Sequence, residues 1–432
     1  MSIKEVYIIG AGLAGCEAAY FLANKDIKVK LCEMKPTKYS PAHKSSNFGE
    51  LVCSNSLRSN DLKNAVGLLK EEMIKLDSLI MKSAYLNQVE GGSSLVVDRE
   101  GFSKYITEAI KNHPNIEIIN EEVTNLDLTK NIIVASGPLT SDSLSTEIQK
   151  LFGCDHFYFF DAAAPIIKKD SIDFEKAYFK SRYDKGEASY INCAMTKEEY
   201  DAFYNELINA ECVELKDFEM NVFEGCMPFE VMAKRGYKTL LFGPMKPVGL
   251  EKDENHKPYA VVQLRQDDSV GTLYNIVGFQ THLKFDEQKR ILRMIPGLEK
   301  CEIVRYGVMH KNSYIHSPNI LNKFYQTNKY PNLFFAGQLT GVEGYVESAA
   351  SGIIAGINMY KYLNNQELID FTKKTVIGSM SNYISSCSIK NFQPMNANFG
   401  IIEDIIGVKK KDKREAYYNR SMEVMDELIK LI

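Results

Sequence analysis

Cysteine is sparse in this sequence, with nine in 432 residues and an odd count. A chain this long with so few is not a disulfide framework, and at least one thiol stays unpaired. No two cysteines stand as CxxC, and none joins a Cys/His cluster with zinc spacing, so no metal site is expected. The economical reading is reduced thiols in a cytosolic compartment, and a cytoplasmic location follows from it. An excess of one charge is also missing: 52 Lys and Arg stand against 56 Asp and Glu, a net charge of −4. That excludes a uniformly basic nucleic-acid binder but leaves room for local basic patches. Long apolar runs are nearly absent. Val6 to Ala23 (VYIIGAGLAGCEAAYFLA) is the exception, yet Glu17 interrupts it and no cluster of positive charge precedes it. No membrane association is therefore expected. Internal repeats and extended low-complexity segments are lacking too. What remains is ordinary globular composition, 45% hydrophobic and 25% charged, in a chain long enough for one large or two ordinary domains.

The same apolar run carries the first positive signal. Val6 to Ile9 reads as a short buried strand, Cys16 to Asn24 as a helix and Ile27 to Leu31 as a second strand. Between the first strand and the helix stands GAGLAG: Gly10, Ala11, Gly12, Leu13, Ala14 and Gly15. Glycines at this spacing allow a tight turn and let a pyrophosphate approach backbone N–H groups at a helix N-terminus. Glu33, about twenty residues on, suits the ribose hydroxyls of an adenosine. The alternative is a plain strand–helix turn packed with small residues. Two later segments favour FAD over NAD as the dinucleotide. Ile132 to Pro138 (IIVASGP) reads as a strand ending in small residues. Phe334 to Gly352 (FFAGQLTGVEGYVESAASG) reads as a strand, a glycine turn and a helix start. That second turn places Gly337, Gly341, Glu343 and Gly344 as further cofactor residues, with a second helix dipole aimed at the flavin and its phosphates. Asn64 to Leu79 and Arg99 to Ile110 read as amphipathic helices, and Ile116 to Ile119 and Asn131 to Ala135 as strands. The fold class is α/β: a Rossmann-like FAD-binding domain of the glutathione-reductase type with an inserted α+β domain. The expected division is 1–185 and 300–432 for the first domain, with C-terminal helices, and 186–299 for the insert.

One further stretch, FEGCMPFE (Phe223 to Glu230), sets Cys226 between Gly225 and the Met227–Pro228 pair. The glycine and the pre-proline position favour a fixed bend over a helix. With ELVCSNSLRSN, VDREGF, DAAAPI, KSRYDKGEA, FGPMKPVGL, YAVVQLRQDD, NIVGFQTHLK, RYGVMHKN and NFQPMNANFG, these segments make the chain resemble, almost end to end, the folate- and FAD-dependent tRNA uracil-5-methyltransferases, the TrmFO family. Ser136 and Leu339 depart from that pattern without removing a reactive group.

The resemblance implies a reaction. NADH or NADPH reduces FAD, and a one-carbon unit from 5,10-methylenetetrahydrofolate reaches C5 of a uridine in RNA, usually position 54 of the tRNA T-loop. It places the uracil-attacking thiolate at Cys226. Cys53 matches the second active-site cysteine, acting either as base for the C5 proton or as a group that traps or protects the methylene–flavin species. The other seven cysteines read as small buried hydrophobes. Arg99, His282 and Tyr345 fall in matched motifs that should face flavin or folate. Arg99 or His282 would bind the folate tail or the pteridine edge, and Tyr345 would stack on or position a ring. RNA would be held by basic patches: Lys180 to Lys185, Ala233 to Lys238 and Lys409 to Arg414. Three other readings stay open: the same chemistry on 23S ribosomal RNA, a small-molecule flavin oxidoreductase, and a non-catalytic RNA-binding flavoprotein. Oligomeric state has no signature in the sequence.

Overall fold

A computed structural model describes residues 4–153, 157–184, 187–213, 227–252, 257–388 and 392–432. Cys226, Cys154 and Lys185 lie outside these residues. Glu5–Ile9 is the middle strand of a five-stranded parallel sheet. The order is Leu333–Phe335, Ile132–Val134, Glu5–Ile9, Lys28–Cys32, Ile116–Ile119. The Rossmann-like half is as expected. Leu13–Asn24 starts three residues before the apolar pattern suggests, because Gly12 takes an extended conformation and serves as its N-cap. This helix packs on Tyr345–Leu363 at very short range. A Cβ on Gly352 would lie 2.2 Å from the Ala14 carbonyl oxygen, so the small residues of ESAASGIIAGI are there for the crossing.

The helix expected from Asn64 to Leu79 is two helices, Ala65–Lys75 and Leu79–Leu86. Asp77 turns into the left-handed region, and the Ser78 hydroxyl accepts from Met81 N–H at 3.0 Å to start the second helix. An unbroken apolar pattern concealed the corner. Buried Glu17 completes it by accepting from Leu79 N–H and Ile80 N–H at 3.1 and 3.0 Å. Glu72 does the same for the C-terminal helix Val376–Ser386, accepting from Val376 N–H and Ile377 N–H at 2.8 and 2.7 Å. Burial pushes both carboxyls up to about 7.

A carboxyl that holds its proton more tightly folded than unfolded stabilises the fold below its unfolded value. That contribution is lost as pH rises through the folded value. Stability should therefore fall between about pH 4.5 and about pH 7. Glu72→Gln should flatten that slope in melting-temperature measurements. An unchanged slope would show that Glu72 ionises normally.

A second sheet is six-stranded and antiparallel. Its order is Tyr178–Phe179, Tyr190–Met195, Ala260–Gln266, Leu273–Ile276, Ile166–Lys168, Ile303–Arg305. Its two faces differ, as the alternation of a half-buried strand requires. Ile191, Cys193, Val262, Leu264 and Ile276 join a separate apolar core with Tyr200, Phe203, Phe229 and Phe279. The opposite face carries Asn192, Gln263, Arg265 and Asn275, paired across strands as Asn192 with Gln263 and Arg265 with Asn275. Only three of the six strands fall within 186–299. The others are two or three residues long, too short to show a period. We place the insert between the two arms of the antiparallel ribbon formed by Phe157–Ala162 and Met309–Tyr314. Among the described residues no helix is long and apolar enough to cross a membrane.

Candidate active site

The carboxyl ends of the parallel strands open into a crevice lined by Gly10, Ala11, Gly12, Leu13, Ala14 and Glu33. The three fingerprint glycines are small for three different reasons. Gly10 has φ +100°, and a Cβ there would strike the Ala135 carbonyl oxygen at 2.6 Å. A Cβ on Gly15 would lie 1.9 Å from the Gly10 oxygen, so Gly15 lets the helix close on the turn and does not line the crevice. A Cβ on Gly12 meets nothing within 4 Å. That open space at a helix N-terminus is the cradle a pyrophosphate needs. The Glu33 carboxylate accepts from Ala11 N–H at 2.7 Å and Lys35 N–H at 3.0 Å while sitting in the crevice wall. It thus anchors the phosphate turn as well as bordering the nucleoside end.

From the second glycine turn, Gly337 lines the crevice together with Gln338, Tyr345 and Ser348. Gly341, Glu343 and Gly344 do not. Gly341 makes room for the Phe392 ring, and Gly344 for the Glu347 carboxylate, which pairs with Arg58. The Glu343 carboxylate accepts from the Gln338 side chain. A sequence motif cannot separate a glycine that yields to a ligand from one that yields to a neighbouring side chain. The far wall of Ser136, Gly137 and Thr140 follows the strand Ile132–Val134 as expected, while Lys35, His43 and Val52 carried no sequence signal.

Tyr345 connects the crevice to Cys53. Its phenol oxygen accepts from Cys53 N–H at 2.9 Å, and its O–H donates to Cys53 Sγ at 3.2 Å. Burial first, and the neighbouring cysteine second, hold the phenol well above its usual value, so it keeps its proton. The Cys53 turn is held from below by three arginines. Arg99 donates to the carbonyls of Leu51 and Cys53, the latter at 3.0 Å, and forms an ion pair with Asp267 at 2.9 Å. Arg305 donates to the Val52 carbonyl. Arg265 donates to Ser54 Oγ at 2.7 Å and Asn55 Oδ1 at 3.3 Å. The guanidinium of Arg99 is thus engaged with Asp267 and the backbone, where it supports the Cys53 turn. The signal for Arg265 was the polar alternation Gln263, Arg265, Asp267, which the period-two rule marks as one face.

His282 stands elsewhere, inside the insert. Its Nδ1 lies 2.5 Å from Glu230 Oε1, and Glu230 also accepts from His282 N–H at 2.8 Å and Thr281 Oγ1 at 2.9 Å. Burial pulls this imidazole down, but Cys212 and Glu230 outweigh it and hold it at about 9. The residue is a buried cation paired with Glu230, not part of the crevice wall. Potential ligand atoms of Cys212, Glu230 and His282 lie within 4.8 Å of one another. No sequence spacing shows this, because the three come from separate segments.

A small cavity of about 110 Å³ lies on the other side of Cys53, lined by Cys53, Ser54, Arg265, Asn275, Gly278 and Gln280. Phe229 N–H donates to the Gln280 carbonyl at 2.8 Å, so the described chain that follows Cys226 begins beside this cavity. The basic patches are only partly available for RNA. Arg182 holds the Phe242–Leu250 loop through the Lys246 carbonyl at 3.1 Å, and Tyr237 packs on Tyr200 and bonds to Asp201. Lys234, Lys238 and Lys409 to Lys411 are exposed, as are Tyr183 and Phe242, the latter 80% accessible.

The family model for glucose inhibited division protein A matches residues 5–367. Two relatives carry the name methylenetetrahydrofolate--tRNA-(uracil-5-)-methyltransferase TrmFO. The one from Bacillus subtilis is 59% identical over 436 residues, covering all of both chains. The one from Lactococcus lactis subsp. lactis is 58% identical over 442 residues, covering 100% of this chain and 99% of its own. Among solved structures, Aquifex aeolicus GidA superimposes with a TM-score of 0.69 at 17% identity, over 98% of this chain and 73% of that one. At that identity the likeness speaks for the fold alone.

Proposed function

Since this chain belongs to the TrmFO family of GidA-related proteins, we propose that it methylates C5 of a uridine in RNA, most specifically position 54 of the tRNA T-loop. The carbon comes from 5,10-methylenetetrahydrofolate and the electrons from NADH or NADPH. The observation that carries this reading is the shared wall: Tyr345 lines the dinucleotide crevice and is hydrogen-bonded to Cys53.

The crevice fits FAD. Gly12 leaves the space a pyrophosphate fills, the start of Leu13–Asn24 directs N–H groups toward it, and Glu33 borders the nucleoside end. When bound, FAD supplies the electron and one-carbon chemistry of the transfer. The chain's own groups do the rest. Cys226 adds as a thiolate to C6 of the uracil, which makes C5 nucleophilic, and it leaves once C5 has gained the carbon and lost its proton. Cys53 sits where a proton can pass between its sulfur and the Tyr345 phenol. Arg99, Arg265 and Arg305 hold its turn in place.

Gly12→Val should purify without flavin absorbance and with its fold largely kept. A branched side chain fills the cradle, while the backbone at Gly12 is one that any residue adopts. A variant that stays fully yellow would place the phosphates elsewhere. The proposed target is tested by mapping 5-methyluridine in total RNA from cells with and without the gene. Loss at position 54 of tRNA supports it, and loss confined to 23S ribosomal RNA overturns it.

A further inference from the structure

We propose that the small cavity beside Cys53 is the seat of a single oxo-pyrimidine ring, whose carbonyl oxygens are read by Asn275 and Arg265. Asn275 and Arg265 are direct cross-strand partners on the polar face of the insert's sheet. Their side chains therefore leave the sheet together, toward Cys53. Asn275 is only 4% exposed, and its Nδ2 is buried with no hydrogen-bond partner among the described residues. A buried amide donor left unpaired is costly, and native proteins keep few of them. One that lines a cavity is a donor waiting for an acceptor. Arg265 is 8% exposed and is a donor only, with five N–H groups, of which Ser54, Asn55 and Tyr190 engage three.

Two donors call for two acceptors on one ligand edge, and an oxo-pyrimidine supplies them as ring carbonyls. Size narrows the choice further. A cavity of about 150 Å³ takes one benzene-sized ring. At about 110 Å³ this cavity is smaller than that, so it admits one six-membered ring at most and no fused pair. A ring seated here touches Cys53, which is hydrogen-bonded to Tyr345 in the wall of the dinucleotide crevice. The inference rests on the proposed reaction for its source of rings. A uridine of RNA carries such an edge in O2 and O4, whereas a folate pterin has a single ring carbonyl on two fused rings.

The test measures direct binding by titration calorimetry, so it does not depend on turnover. Wild type, Asn275→Ala and Asn275→Asp are titrated with a uridine-containing RNA stem-loop and, separately, with tetrahydrofolate. Flavin content and melting temperature are recorded for each. Asn275→Ala removes the donor. Asn275→Asp keeps the size but turns a donor into an acceptor. Each should weaken one ligand by about 10- to 100-fold, the range for a lost buried hydrogen bond in a recognition site. Flavin content should not change, and the alanine variant should melt no lower than wild type, because an unpaired buried donor has been removed. Weakened RNA with unchanged folate identifies the ring as uracil, and weakened folate with unchanged RNA overturns the assignment. If both ligands bind each variant as tightly as wild type, the assignment is overturned. A drop in melting temperature with unchanged binding would also overturn it, as the mark of a purely structural amide. Asn275-dependent binding by a protein that methylates no RNA would sink the proposed function and leave this assignment standing.

Discussion

Cys226→Ala should lose methyl transfer by three or more orders of magnitude while retaining bound flavin and its melting temperature. The expectation rests on chemistry. Uracil C5 is a poor nucleophile until a group adds at C6, and sulfur both adds and leaves readily. Deleting a nucleophile typically costs on the order of 10³-fold or more. Cys226→Ser should recover little, since an alkoxide is far harder to form at neutral pH than a thiolate. Methylation of an RNA substrate, measured beside flavin absorbance and thermal melting, decides the matter. Substantial turnover by the flavin-bound alanine variant would reduce Cys226 to a packing residue.

Arg99→Ala carries the second large effect, and it is one of stability. The Arg99 side chain is 16% exposed and pairs with Asp267, itself 4% exposed. Removing it leaves a buried carboxylate without its cation, a change that costs about 3–5 kcal/mol. The same change frees the carbonyls of Leu51 and Cys53 from their donor, so the Cys53 turn should loosen and activity should fall with stability. Arg99→Lys should restore only part of it, because a single ammonium cannot reproduce a fork that bonds Asp267 and two carbonyls together. Melting temperature and the KM for folate separate this account from a folate-binding arginine. A variant with wild-type melting and a raised folate KM would return Arg99 to the substrate.

The cofactor half of the molecule was largely legible in the sequence. Glycine spacing, a strand before it, a helix after it and an acid at Glu33 are local signals, and the structure places them together around one crevice. The second glycine turn was legible only as a turn. Gly337 faces the crevice, but Gly341 and Gly344 answer to Phe392 and Glu347, which stand 51 and 3 residues away in the chain. Distance in sequence also concealed the support of Cys53. Arg99, Arg265 and Arg305 come from a helix and two non-adjacent strands of the six-stranded sheet, and nothing local says that they meet at one turn. His282 shows the converse. Its motif stands out locally, but its neighbours Glu230 and Cys212 are both remote in sequence and could not be read from it. On the placement proposed above the insert extends beyond 186–299 at both ends, through strands with too few residues to display alternation. The polar face that carries Asn275 became visible only once the register paired it with Arg265.

The most direct test of the reaction supplies purified protein, RNA and NADPH with one of two isotopically labelled donors, 5,10-methylenetetrahydrofolate or S-adenosylmethionine. Labelled 5-methyluridine should form from the folate and not from S-adenosylmethionine. Label arriving in RNA from S-adenosylmethionine, with none from the folate, would contradict the account.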